Sequence, residues 1–171
     1  MINPRATRSI AFLAGCAMLA PTACETQRGG ALTPAARTAI ADSLGKLATS
    51  AYDLSRPNPV QRMMSLYPER GPIYSTSSGH VSTTRAALQQ QIESFWKYVG
   101  SNMRNPKWEW TSMHVDVLSP EAAVMTASYR IPHLNPRNVP HVIGGAWTAA
   151  FVNRGGRWVV IQEHLSDTPA P

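Results

Sequence analysis

The sequence predicts an α+β domain in which three helices precede a curved antiparallel sheet. Two observations carry this. Apolar residues recur at helical spacing up to about residue 100, and from residue 107 the period changes to two. Helices first and strands afterwards, rather than in alternation, favour an antiparallel sheet. With 171 residues, 43% hydrophobic and 15% charged, there is room for one such domain.

The first 23 residues are set aside as an export signal. Arg5 and Arg8 precede an apolar run over 10–20, which is too short to span a bilayer. The only two cysteines, Cys16 and Cys24, sit where a lipid-modified residue would be. Leu13-Ala14-Gly15-Cys16 is closer to a lipobox; Cys24 leaves a full apolar core before it and a polar stretch after it, and is preferred. The expected organisation is a lipoprotein signal over 1–23, a tether over 24–32, the domain over 33–167 and a tail over 168–171. The expected location is the cell envelope, with membrane contact through the lipid anchor only. A plain signal peptide is the alternative. The domain then has no disulfide, cysteine nucleophile or cysteine-based zinc site.

Each helix has its own signals. Thr33 caps the first, Pro34 fits its first turn, and Ile40, Leu44, Leu47, Ala48 and Ala51 form its stripe. It ends before Pro57. A short helix over 59–67 ends at Pro68. Residues 71–77 suit an edge strand. Ser82 caps a third helix over 83–100, with Leu88, Ile92, Phe95, Trp96 and Val99 along one side. Strands follow over 107–118, 122–131, 141–152 and 157–164. A loop over 132–140 contains three prolines, and Gly155-Gly156 marks a tight hairpin.

Hairpin register gives the candidate pocket. With Gly155-Gly156 as a two-residue turn, Phe151 opposes Val160, Ala149 opposes Gln162 and Trp147 opposes His164. Trp147, Phe151, Trp158, Gln162 and His164 then share a face, a mostly apolar wall with two polar groups. His164 is the leading acid–base candidate, since imidazole exchanges protons near neutral pH. A structural histidine bonded to a backbone group is the plainer alternative. Across the preceding hairpin, Trp110, Ser112, His114 and Tyr129 share a face, making His114 a second candidate. That face could be concave or outward. Trp96 could join the ligand-binding set with Trp147, Phe151, Gln162 and Tyr129. On this register Glu163 points away from His164, which weakens an enzymatic reading.

The +6 net charge is scattered rather than clustered, so no nucleic-acid partner is expected. His80, His133 and His141 form no metal motif, and neither a metal nor another cofactor is expected.

The segment 156–166, Gly-Arg-Trp-Val-Val-Ile-Gln-Glu-His-Leu-Ser, resembles the terminal strand of the SnoaL-like branch of the nuclear transport factor 2-like superfamily. Residues 118–124 and Met64-Ser65-Leu66-Tyr67 resemble other parts of that pattern. The resemblance spans about residues 35–167. It implies a cone-shaped fold with a pocket between sheet and helices, and frequent homodimers. It does not imply one activity, because that superfamily includes isomerases, dehydratases, cyclases and non-enzymes. The expected function is to hold a small apolar or amphipathic molecule; an acid–base isomerase, dehydratase or cyclase is the alternative. A partner-binding scaffold is a third option.

Overall fold

The computed structural model describes residues 32–168. Helix α1 (Pro34–Ala51) starts as its sequence requires, with Thr33 Oγ1 accepting the Ala36 N–H at 3.2 Å. Helix α2 (Pro59–Met64) follows, then the strands β1 (Tyr74–Ser77) and β2 (His80–Ser82). Helix α3 (Arg85–Tyr98) precedes the long strands β3 (Glu109–Ser119), β4 (Ala122–Leu134), β5 (Pro140–Arg154) and β6 (Arg157–Asp167). The strands form one curved sheet in the order β2-β1-β6-β5-β4-β3, with the helices on its concave side. The fold is therefore the α+β cone.

Several local expectations need correction. The segment 71–77 is not an edge: β1 runs parallel to β6 and pairs with β2 on its other side. The cap of α3 is Thr84, not Ser82; the Ser82 hydroxyl instead donates to Gln91 Oε1 at 2.9 Å. The proline loop is shorter than expected, since β4 continues through Pro132 to Leu134 and His133 pairs with His141. In β4, Pro132 lies past the start of β3 and turns its carbonyl to that side, where it accepts the Lys107 N–H at 3.2 Å, so the missing N–H costs no bond to β5.

The larger correction concerns register. At the Gly155-Gly156 turn, both glycines have positive φ, 62° and 87°, as a two-residue hairpin needs. Arg154 pairs with Arg157, Val152 with Val159 and Phe151 with Val160, as expected. A bulge then follows. Ala150 pairs with Gln162, Ala149 with Glu163, Thr148 with His164 and Trp147 with Leu165. One extra residue reverses the faces of the rest of β6. The bulge falls where Val160 donates its N–H to Leu66 O at 2.8 Å, in the turn after α2.

The β3–β4 hairpin slips in the same way. Ser119 opposes Ala122, but irregularities between Val117 and Ser119 and between Trp110 and Ser112 shift the pairing. Thr111 and Ser112 each place a hydroxyl 2.7 Å from Ser128 Oγ, two residues against one. Trp110 still faces the same way as Tyr129, while Ser112 and His114 turn outward.

The core lies between the concave face and the helices. Leu44 and Ala48 from α1, Leu66 and Ile73 from the connections, and Met125, Trp147, Ala149 and Val160 from the sheet have no solvent exposure. Close backbone approach matters at Gly145. A Cβ there would fall 1.9 Å from Ser166 O and 3.0 Å from Tyr129 Oη. Any larger residue would push β5 away from β6 beside the open end of the cone.

Candidate functional site: an aromatic cavity with a buried carboxyl

The open end of the cone holds a cavity of about 350 Å³. Helix α3 supplies one wall with Leu88, Ile92, Phe95 and Trp96, which extend its predicted apolar stripe into the cavity. The sheet supplies Tyr129, Ile131, Ile143, Glu163 and Leu165. Tyr52, Met63 and Tyr67 come from the first two helical segments, and Trp108 from the approach to β3.

The polar centre of this cavity is Glu163, which is 4% exposed. Its carboxylate is held on both oxygens. Ser75 Oγ donates to Oε1 at 2.7 Å, and Trp147 Nε1 donates to Oε2 at 2.7 Å. The strands set this geometry: Ser75 is the residue opposite Glu163 in the parallel β1–β6 pair, and Trp147 lies on β5. Burial pushes the Glu163 pKa up, while hydrogen bonds from Ser75, Tyr67 and Trp147 pull it down; burial wins.

Tyr67 is positioned from outside the cavity. Arg85 Nη1 donates to Met64 O at 3.0 Å and Tyr67 O at 3.1 Å, and Arg157 Nη2 donates to Ser65 O at 2.8 Å. These guanidinium groups satisfy carbonyls that the short α2 leaves open. Burial, then the Glu163 charge, pushes the phenols of Tyr52 and Tyr67 well above the usual range. Tyr129 is pushed up to about 12, first by burial and then by Asp167 at the cavity rim. All three remain neutral phenols near neutral pH.

The aromatic residues form one contiguous cluster. Trp108 stacks on Tyr129 with centroids 4.4 Å apart and planes 19° apart. Tyr52 lies 4.3 Å from Trp108 and 5.6 Å from Trp147. The indole N–H groups of Trp96 and Trp108, both in the cavity lining, are buried without a hydrogen-bond partner in the protein. The Trp110 N–H, outside the lining, is in the same state, so these buried donors are a property of the whole aromatic cluster.

The structure separates the residues that the sequence grouped. Tyr129 and Trp96 line the cavity. Trp147 and Phe151 point inward but lie behind it, with 0% and 1% exposure, as core residues. His164 and Gln162 are exposed, because the β6 bulge puts them on the outer face. His114 is exposed for the corresponding reason on β3. Neither histidine is brought to the cavity, and Asp116 is exposed beside His114 on β3. The expectation that Glu163 faces away is reversed. Glu163, Trp108, Ser75 and Tyr67 are among the site residues that pattern missed. The adjacent acid on the terminal strand was visible, but its direction depended on the bulge.

Among the described residues, no group of three or more His, Cys, Asp or Glu could hold a metal ion. His133 and His141 do meet across β4 and β5 with ring centroids 5.1 Å apart, and His133 Nδ1 lies 2.9 Å from Ile131 O. Cys16 and Cys24 lie outside the described residues.

A cone-shaped sheet closed by helices over an apolar cavity defines the nuclear transport factor 2-like fold. Solved structures agree. A nuclear transport factor 2-like protein of unknown function from Shewanella oneidensis shares 16% identity, with TM-score 0.58 over 74% of this chain and 98% of that one. A provisionally named dehydratase of the same fold family from Streptomyces avermitilis gives 15% identity and TM-score 0.63, over 78% and 99%. A provisionally named scytalone dehydratase from Novosphingobium aromaticivorans gives 16% and 0.59, over 77% and 85%. At these identities the likeness is one of fold. No protein-family model and no curated protein sequence matches the chain.

Proposed function

We propose that this chain is an exported, lipid-anchored SnoaL-like domain that holds a small, mostly apolar molecule in its cavity. The observation that carries the binding role is the cavity itself: aromatic and aliphatic walls surround one fixed carboxyl. Ligand sites have this composition, with an apolar lining and a few convergent polar groups. The molecule would place its polar end against Glu163 and its body against Trp108, Tyr129 and α3.

Native mass spectrometry of the chain purified from its own cell envelope tests this. A retained small organic molecule is expected, and Ile92→Trp, which fills the cavity, should release it. Identical spectra for the two proteins would overturn the binding role. The same spectra would report the homodimer that we include in this reading, and the acyl groups.

The anchor rests on the sequence alone: a basic start, an eleven-residue apolar run over 10–20 and a cysteine after small residues. Two acyl-type attachments are enough for stable membrane anchoring. Cys24→Ser should move the protein from the membrane to the soluble fraction, while Cys16→Ser should not. The reverse pattern would transfer the anchor to Cys16.

A second function is favoured by one observation. Glu163 is a buried carboxyl with a raised pKa inside a cavity, the setting in which carboxyls exchange protons with bound molecules. It takes the acid–base role that the sequence assigned to His164 and His114. Solvent deuterium entering the retained molecule, and stopping in Glu163→Gln, is the result this function requires.

A further inference from the structure

We infer that the occupant of the cavity is a small organic ammonium ion carried on an apolar body, its charge seated between Glu163 and the aromatic walls. This rests on the proposed binding role and specifies its ligand class.

The charge inventory carries the inference. The chain is basic, with 16 Lys and Arg and 5 His against 10 Asp and Glu. Yet no Lys, Arg or His among the described residues lines the cavity, and its two charged residues are both acids, Glu163 inside and Asp167 at the rim. Asp167 is held there by Ser78 Oγ at 2.8 Å. The ionisable groups of the cavity are thus opposite in sign to the chain's net charge. An anionic ligand would meet an acid with no compensating base.

The carboxyl itself is prepared for a cation. Its oxygens accept from Ser75 and Trp147, which fix its position but bring no positive charge. Ionised Glu163 is therefore a buried anion without a counter-ion, a costly arrangement. A ligand cation would supply the missing charge in a medium where Coulomb attraction is stronger than in water.

The walls add a second attraction. Trp108 and Tyr129 are stacked, with Tyr52 against Trp108, and all three line the cavity. Faces of such rings attract ammonium groups, most strongly when desolvated, although the faces that Trp108 and Tyr129 turn to each other are already covered. The phenols cannot compete as anions, because burial keeps them protonated.

The test measures quenching of indole fluorescence in the full chain by three compounds. These are benzyltrimethylammonium, its uncharged isostere neopentylbenzene, and the anion phenylacetate. The ammonium compound should bind about tenfold tighter than the hydrocarbon, and phenylacetate should not bind. Glu163→Gln should reduce the cation preference to within about threefold, while the hydrocarbon still binds. Asp167→Asn, at the exposed rim and outside the buried network, should lower it by a smaller factor. Equal affinity for the first two compounds, or a preference unchanged in both variants, overturns the inference but leaves the binding role standing. Binding of neither compound removes the binding role and the inference with it.

Discussion

Trp147→Ala is expected to destabilise the domain by about 3–5 kcal/mol, from the large cavity left by a buried aromatic. Trp147 has no solvent exposure and lies at the centre of the aromatic cluster, 5.6 Å from both Tyr52 and Trp110 and 6.0 Å from Phe151. Its loss also strips a hydrogen bond from a buried carboxylate. Small domains are stable by about 5–15 kcal/mol in total, so the variant should be near unfolding at 37 °C. Urea denaturation followed by fluorescence of the remaining tryptophans measures this. Trp147→Phe keeps an aromatic ring but loses the N–H together with part of the volume. It should cost less than the alanine variant, with the remaining loss shared between the smaller cavity and the hydrogen bond to Glu163. A loss below about 1 kcal/mol for Trp147→Ala would show that the cluster does not hold the sheet to the helices.

The second large effect concerns Glu163, where charge and hydrogen bonding oppose each other. Glu163→Leu leaves the Ser75 hydroxyl and the Trp147 N–H buried without an acceptor, at about 1–3 kcal/mol each. Glu163→Gln keeps an acceptor for Trp147 and a donor for Ser75, and removes the charge. Burial raises the folded-state pKa of Glu163 above its ordinary value. Its protonated form is thus the one that folding favours. The contribution is fully present below the ordinary value and is lost as pH rises through the folded value. Wild-type stability should therefore fall relative to Glu163→Gln as pH increases across that window. Denaturation midpoints of both proteins from acid to neutral pH measure the difference. A difference that is flat, or that moves in favour of the wild type, would mean that the hydrogen bonds outweigh burial. The Leu variant should be the least stable of the three at every pH.

These two residues also show where sequence reasoning stopped. The inward direction of Trp147 and Phe151 was legible, because each lies on the unbroken strand β5 and follows strict alternation from the turn. The same alternation failed on β6. It held for Trp158, Val159 and Val160, then broke at the bulge. Past that point it assigned His164 to the interior and Glu163 to the exterior, and both assignments are reversed. For Tyr129 and His114 the pattern placed both on one face and left its direction open; the structure turns Tyr129 inward and His114 outward. Tyr129 lies on β4, whose pairing with β5 has no irregularity, whereas His114 lies beyond the slip in β3.

Helix-level features were read more fully. The Thr33 cap and Pro34 depend on local hydrogen bonding and a fixed φ, so a few adjacent residues determine them. The stripe of α3 was correct in type and became half of the cavity wall. The parallel β1–β6 contact was not legible at all. It joins residues nearly ninety positions apart, and β1 is only four residues long, too short for a pattern.

The sequence by itself determined the fold class, the order of the helices and of every strand except β2, the hairpin turn and the apolar faces of α1 and α3. These follow from periodicity, capping and glycine conformation, which act over a few residues. Only the tertiary structure decided which polar residue enters the cavity. That choice depends on a single inserted residue on β6, placed where Val160 turns its N–H away to Leu66 in the segment after α2. A hydrogen bond across more than ninety residues of chain thus falls at the switch from His164 to Glu163, and no local pattern contains it.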